Sequence, residues 1–178
     1  MSCSLISREW VKAIPLKPPL FSMEDQVPTE QLKKPLESCS RIFESTLASV
    51  ELAEDAALEI AQATGFRGDE LEKIGLAVRE VVANAVIHGN RLDPAKKVVL
   101  TATRTADRLD VRVWDQGKGF DMESLENNFV ADVLLRDSGR GIYLARAFMD
   151  EFRVHNGAAG GTTVSLTKFI RPKRRGAK

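Results

Sequence analysis

Residues 80–90 read EVVANAVIHGN, and the placing of this run decides the fold. Through Ile87 it is apolar apart from Glu80 and Asn84, and His88 follows at the same four-residue spacing. On an ideal helix each residue advances about 100°, so the three polar side chains form one slowly drifting stripe. Leu71, Ile74, Val78, Val81, Val82 and Ala85 gather on another face. With Glu80 at zero, their centre lies roughly 150° round the axis, against about 40° for the polar stripe. Glu72 and Arg79 fall elsewhere again. The stripe therefore follows the seam between core and solvent, and two readings fit that position. It is the polar border of an amphipathic helix, or it is one wall of a cleft.

Working outward, Asp69 suits the N-cap of this helix, which is expected to run to about His88 and to end at Gly89-Asn90. Upstream, Ser49–Ala63 has helical spacing that stops at Gly65, and Arg41–Thr46 suits a short edge strand. Downstream, strands are expected near Lys97–Arg104 and Arg108–Trp114, joined by a polar turn with Ala106 and Asp107. A helix over Gly141–Glu151 and a hairpin of Phe152–His155 with Thr162–Phe169 complete the pattern. No βαβ alternation occurs. The expected class is α+β, a two-layer sandwich whose mostly antiparallel sheet is covered on one face by helices.

Five of the seven prolines lie in the first 35 residues, a density that blocks helices and sheet interiors. Residues 1–38 therefore read as an extended or weakly ordered arm, 39–170 as the folded domain and 171–178 as a basic tail. A chain of 178 residues allows one domain with a full core. The formal charge of +1 gives no electrostatic reason to expect nucleic acid or a membrane surface as partner. No apolar run approaches the roughly 20 residues of a membrane span, and the first residues lack the order of a signal peptide. A cytoplasmic protein is expected, with Cys3 and Cys39 reduced and structurally idle.

Three further stretches bear on chemistry. In LDVRVWD, period-two alternation puts Leu109, Val111, Val113 and Asp115 on one face. A carboxylate ending an apolar face is costly unless a donor meets it. An adenine amino group is one such donor; a buried helix N-terminus is another. Gly117 and Gly119 then supply a turn without side chains, where backbone can approach a flat ligand or simply reverse. In DSGRGIYLARAF, Gly139 and Gly141 open a helix. Free N–H groups at such a start hold phosphates, with Arg140 or Arg136 adding charge, unless the glycines only ease the helix entry. Met122–Asp137 between the glycine clusters is long for a plain connection and fits a lid. In AAGGTTVSL, Gly160 and Gly161 precede Thr162 and Thr163, as a hairpin turn or a hydroxyl donor. Neither GxxxxGK[ST] nor a strand-to-helix GxGxxG is present, so the usual phosphate loops are excluded.

Taken together, these stretches resemble the GHKL ATPase superfamily, whose fold is also called the Bergerat fold and carries a mixed sheet. EVVANAVIHGN resembles its N-box, DQGKGFD its first glycine box, SGRGIYL its second and GGTT its last, over roughly residues 40–170. Within the superfamily the chain is most similar to the anti-sigma-factor serine/threonine kinases. The pointers are His88-Gly89 after Glu80 and Asn84, Phe120-Asp121, FMDEF at 148–152 and GTTVSLTK at 161–168. The resemblance implies that Glu80 is the general base and that Asn84 coordinates Mg²⁺ through its amide oxygen. It implies that Asp115 reads the adenine amino group, with Gly117 and Gly119 against the base. Gly139, Arg140 and Gly141 would hold phosphates, and Thr163, with Thr162, would close the adenine end. ATP would be the donor, ADP the product, and a serine or threonine of an anti-anti-sigma (STAS-domain) protein the acceptor. A sigma factor would be sequestered, and the kinase would be a homodimer. A nucleotide-gated binding module without kinase activity is the rival. A histidine kinase catalytic domain is set aside, because no heptad-bearing helix with a phosphoacceptor histidine precedes the domain. His88 is expected to cap or pack a loop, and His155 to be structural.

Overall fold

The computed structural model describes residues 35–119, 140–158 and 160–171. Helix α2 spans Asp69–Asn84 and is built on one apolar face: Ile74, Val78, Val81 and Val82 are at most 1% exposed. Burying these four side chains contributes roughly 6–12 kcal/mol before entropy is counted. The helix-propensity cost of β-branched residues is only a few tenths of a kcal/mol each, so burial decides. Asp69 is not the N-cap. Gly68 takes that place at φ 57°, and Asp69, Glu70 and Glu72 occupy the first turn, where their charge complements the positive end of the helix dipole rather than closing a cap bond. Helix α1, Ala48–Thr64, stops where expected: Gly65 adopts φ 109° and its N–H reaches the carbonyls of Ala61 and Gln62.

Five strands follow in the chain as β1 (Glu37–Glu44), β2 (Lys97–Arg104), β3 (Arg108–Asp115), β4 (Glu151–Asn156) and β5 (Thr162–Phe169). They form one sheet in the order β1-β2-β3-β5-β4, and each of the four pairings is antiparallel. The expected sandwich is thus present, its sheet antiparallel throughout the described residues and not mixed. β1 begins four residues earlier than expected and takes in Glu37 and Ser38, assigned to the arm from composition, because all eight of its residues pair with β2. It ends at Glu44, since Ser45 turns inward to a buried side-chain contact with Asn90.

Register puts Cys39, Ala102, Val111, Leu166 and Phe152 in one cross-strand row, and Arg41, Leu100, Val113, Val164 and Val154 in the next. These rows face the helices: α1 packs on β1, β2 and β3, while α2 lies between α1 and the last helix. That last helix, α3, covers Arg140–Phe148 and stops three residues short of the expected Glu151. The buried Lys168 ammonium donates to the Phe148 carbonyl at 2.7 Å, and Asp150 accepts the Phe169 N–H at 2.8 Å. These bonds end the helix and launch β4. Cys39 is a buried cysteine; Cys3 lies outside the described residues. No helix among the described residues is long and apolar enough to cross a membrane.

Candidate functional site

Antiparallel order brings the end of β3 and the start of β5 side by side, Trp114 pairing with Thr163. The C-terminal end of α2 and the first turn of α3 meet above the same sheet edge. Between them lies a cavity of about 120 Å³, many times the ~10–15 Å³ that a single water needs by the same measure. Val81, Ala85, Val113, Ile142, Val154 and Val164 give it apolar walls. Asn84, His88, Asp115 and Thr162 are its polar lining, with Gly89 and Gly119 at the backbone.

Helix geometry changes at this wall. α2 ends at Asn84 and continues as a π-helical turn, Ala85–Gly89, closed by the Asn90 N–H on the Ala85 carbonyl at 2.8 Å. The expected regular helix to His88 is therefore corrected: the wider turn carries one more residue than an α-turn before the chain leaves. His88 is exposed and lines the cavity. Gly89 has no positive φ, so its role is not to stop the helix. A Cβ there would stand 2.7–2.9 Å from the carboxylate atoms of Asp115, and one at Gly117 would stand 2.6 Å from the Gly89 oxygen. The Asp115 carboxylate is seated between two glycines because nothing larger leaves room for it.

Asp115 itself is 4% exposed. Its Oδ1 accepts the Gly117 N–H at 2.7 Å, and the backbone and hydroxyl of Thr162 add two more hydrogen bonds. Burial nevertheless pushes its carboxyl up from the usual carboxylate value, outweighing these bonds and the nearby Lys96 charge. Desolvation outweighs three donors at this buried position on the cavity wall. Thr162, not Thr163, supplies the hydroxyl. Strand alternation turns Thr163 to the opposite face, between Trp114 and His155, so its expected place at the adenine end is corrected.

Glu80 is half-buried and stands one turn before Asn84. It is not part of the cavity lining. Its carboxylate lies instead against Gly141 in the first turn of α3: a Cβ on Gly141 would overlap Oε2 and stand 2.6 Å from Cδ. Arg140 opens that helix, while Gly139, Arg136 and the Met122–Asp137 segment lie outside the described residues. Gly141→Ala is expected to leave the unfolding midpoint unchanged or raise stability by up to about 1 kcal/mol, since alanine is the better helix former. The new methyl pushes Glu80 aside, and the phosphoryl transfer that the resemblance implies should fall about 10–100-fold, the scale of a ~1 Å misplacement. Thermal melts beside a transfer assay check both halves.

Asn90 is a residue that the reading of the sequence passed over except as a helix end. It is fully buried. Its amide nitrogen donates to Ser45 Oγ at 2.6 Å and to the Lys97 carbonyl at 3.0 Å, and its Oδ1 accepts the Gln116 N–H at 2.9 Å. No spacing rule marks such a residue, because its partners come from three separate segments.

Residues 43–168 match the histidine kinase-like ATPase domain family. The serine-protein kinase RsbW of Bacillus subtilis (strain 168) is 34% identical over 122 residues, covering 65% of this chain and 74% of the relative. An anti-sigma F factor of Lysinibacillus sphaericus is 33% identical over 133 residues, covering 70% and 91% respectively. Among solved structures, the RsbU and RsbW domains of Rv1364c from Mycobacterium tuberculosis share the fold with a TM-score of 0.56 at 24% identity. The match covers 78% of this chain and 34% of that longer one. The chain belongs to the histidine kinase-like ATPase family, in the branch that holds the serine-protein kinases and anti-sigma factors.

Proposed function

We propose that this chain is an ATP-dependent serine/threonine kinase and anti-sigma factor, which phosphorylates an anti-anti-sigma STAS-domain protein and holds a sigma factor until that antagonist arrives. One observation carries the reading: a carboxylate only 4% exposed, Asp115, lines an apolar cavity. An exocyclic amino group would add a donor to it from the cavity side, and the apolar walls suit a flat purine. Thr162, bonded to Asp115, holds the carboxylate toward the base, with Gly117 and Gly119 keeping side chains out of its path.

Phosphates would then lie between α2 and the first turn of α3, where Gly141 and Arg140 stand, with Gly139 just before them. Among the described residues no cluster of three or more His, Cys, Asp or Glu could hold a metal by itself. Asn84 offers one amide oxygen at the cavity, which fits Mg²⁺ arriving on the triphosphate with several waters still attached. When bound, that ion neutralises charge on the phosphates. Glu80 takes the proton from the acceptor hydroxyl as its oxygen bonds to the γ-phosphorus and the bond to the ADP oxygen breaks. The kinase acts as a homodimer: the sheet face away from the helices shows Ile42 at 47% exposure, apolar area that a second copy would cover.

The test is incubation with γ-labelled ATP, Mg²⁺ and a candidate STAS-domain protein. Label on a serine or threonine of that protein is expected. ATP binding without label would leave a nucleotide-gated binding module in place of a kinase. Retention of the sigma factor on the immobilised protein, and its release by the unphosphorylated antagonist, checks the second half.

A further inference from the structure

Asn90, Lys97 and Gln116 close a ring of hydrogen bonds. The Asn90 amide donates to the Lys97 carbonyl at 3.0 Å, the Lys97 N–H donates to Gln116 Oε1 at 2.6 Å, and the Gln116 N–H donates back to Asn90 Oδ1 at 2.9 Å. Gln116 is the residue between Asp115 and Gly117. Its backbone and its side chain are thus both fixed, and the peptide that carries the Asp115 carbonyl has no freedom to rotate. On the other side, Gly89, the neighbour of Asn90, lies against the Asp115 carboxylate. The Asn90 N–H is anchored on Ala85 at the start of the π turn, and its side chain is anchored on Ser45 after β1. One asparagine therefore ties the nucleotide-facing helix wall, the start of β2 and the turn after β3 into a single rigid piece.

We infer that Asn90 is a positioning residue for base selection, holding the Asp115 carboxylate at the place where it tells an amino group from a carbonyl. The inference rests on the reading of Asp115 as the base-recognising group. A full set of bonds to a buried amide is expensive to break and leaves no alternative arrangement of comparable energy. Discrimination between two purines needs that rigidity, because a carboxylate free to swing away meets a carbonyl at little cost. A residue that only held the fold together would weaken both purines alike.

The experiment measures ATP and GTP affinity by calorimetry for wild type, Asn90→Ala, Asn90→Ser and Ser45→Ala, with melts alongside. The ATP-to-GTP affinity ratio is expected to fall by about tenfold or more in either Asn90 variant, the scale of one misplaced hydrogen bond in a recognition site. Ser45→Ala removes one bond of the Asn90 amide outside the ring with Lys97 and Gln116, and should lower the melting temperature while cutting the ratio by less than either Asn90 variant does. Amide exchange in the wild type gives a reading that needs no variant. Gln116 is an exposed residue, so a slowly exchanging N–H there reports the bond to Asn90, and exchange at the rate of an open turn would overturn the proposal. An unchanged ratio in a folded Asn90 variant would do the same. Asp115→Asn is measured in parallel. If that variant also keeps the wild-type ratio, base reading by Asp115 fails and this role of Asn90 fails with it. If Asp115→Asn loses the ratio and Asn90→Ala keeps it, only the positioning role is lost.

Discussion

Glu80→Gln should keep Mg-ATP affinity within about twofold of wild type while transfer to the antagonist falls by ~10²–10⁴-fold, the usual share of a general base. The two effects separate because of where the side chain stands. Glu80 is half-buried against Gly141 and outside the cavity lining, so glutamine keeps its volume and its contact and loses only the capacity to take a proton. Asn84, one turn on, lines the cavity. Asn84→Ala removes an oxygen ligand and is expected to weaken Mg-ATP by about 10–100-fold, with less effect on nucleotide offered in the presence of a chelator. Calorimetry with and without Mg²⁺, next to label transfer under saturating ATP, reads both variants. Equal loss of binding in the two would contradict the division of labour between neighbouring turns.

The division of roles is what the family resemblance implies, whereas the polar seam of Glu80, Asn84 and His88 was open to inspection before any coordinates, because it depends only on a four-residue interval within a helix whose apolar face is unambiguous. The same holds for β2, β3 and β5, whose bounds agree with the period-two reading to within one residue. Placement of Thr162 was also within reach: Val164 and Leu166 face the core, and alternation puts Thr162 on their side and Thr163 on the other. What lay out of reach depends on contacts between distant segments. The π turn exists because the chain must deliver Gly89 to Asp115 and Asn90 to Gln116, and neither neighbour is visible in a window around residue 88. Gly89 resembles an ordinary helix stop in composition, yet its φ is not positive; its missing side chain matters because a carboxylate 26 residues later needs the space. The helix bearing Arg140–Phe148 ended early for a similar reason, since Lys168 and Asp150 meet its last turn only after the sheet has formed.

Asp115→Asn should lower ATP affinity by about 2–4 kcal/mol, or roughly 30- to 1000-fold, the loss of a charge-assisted hydrogen bond with the amino group left facing an amide. Stability of the nucleotide-free protein should move far less, because the native carboxylate is already held at a cost. Its carboxyl titrates above the ordinary value since burial outweighs its donors. Between the ordinary carboxylate value and the raised native one, the folded chain keeps a proton that the unfolded chain releases. Stability of the free protein therefore declines as pH rises through that window and is level above it. Nucleotide binding has the opposite slope. The adenine amino group is a donor and selects the ionised acid, so affinity for ATP falls as pH is lowered through the raised value, earlier than an ordinary aspartate would impose. In Asp115→Asn both slopes should vanish over that window, leaving weak binding that is flat with pH. Titrations of wild type and variant by calorimetry, paired with denaturant melts across the same range, measure the two slopes independently. A wild-type affinity that stays constant down to the ordinary carboxylate range would mean that the ligand meets something other than this carboxylate. An Asp115→Asn protein that binds ATP as tightly as wild type would remove the base-reading role altogether.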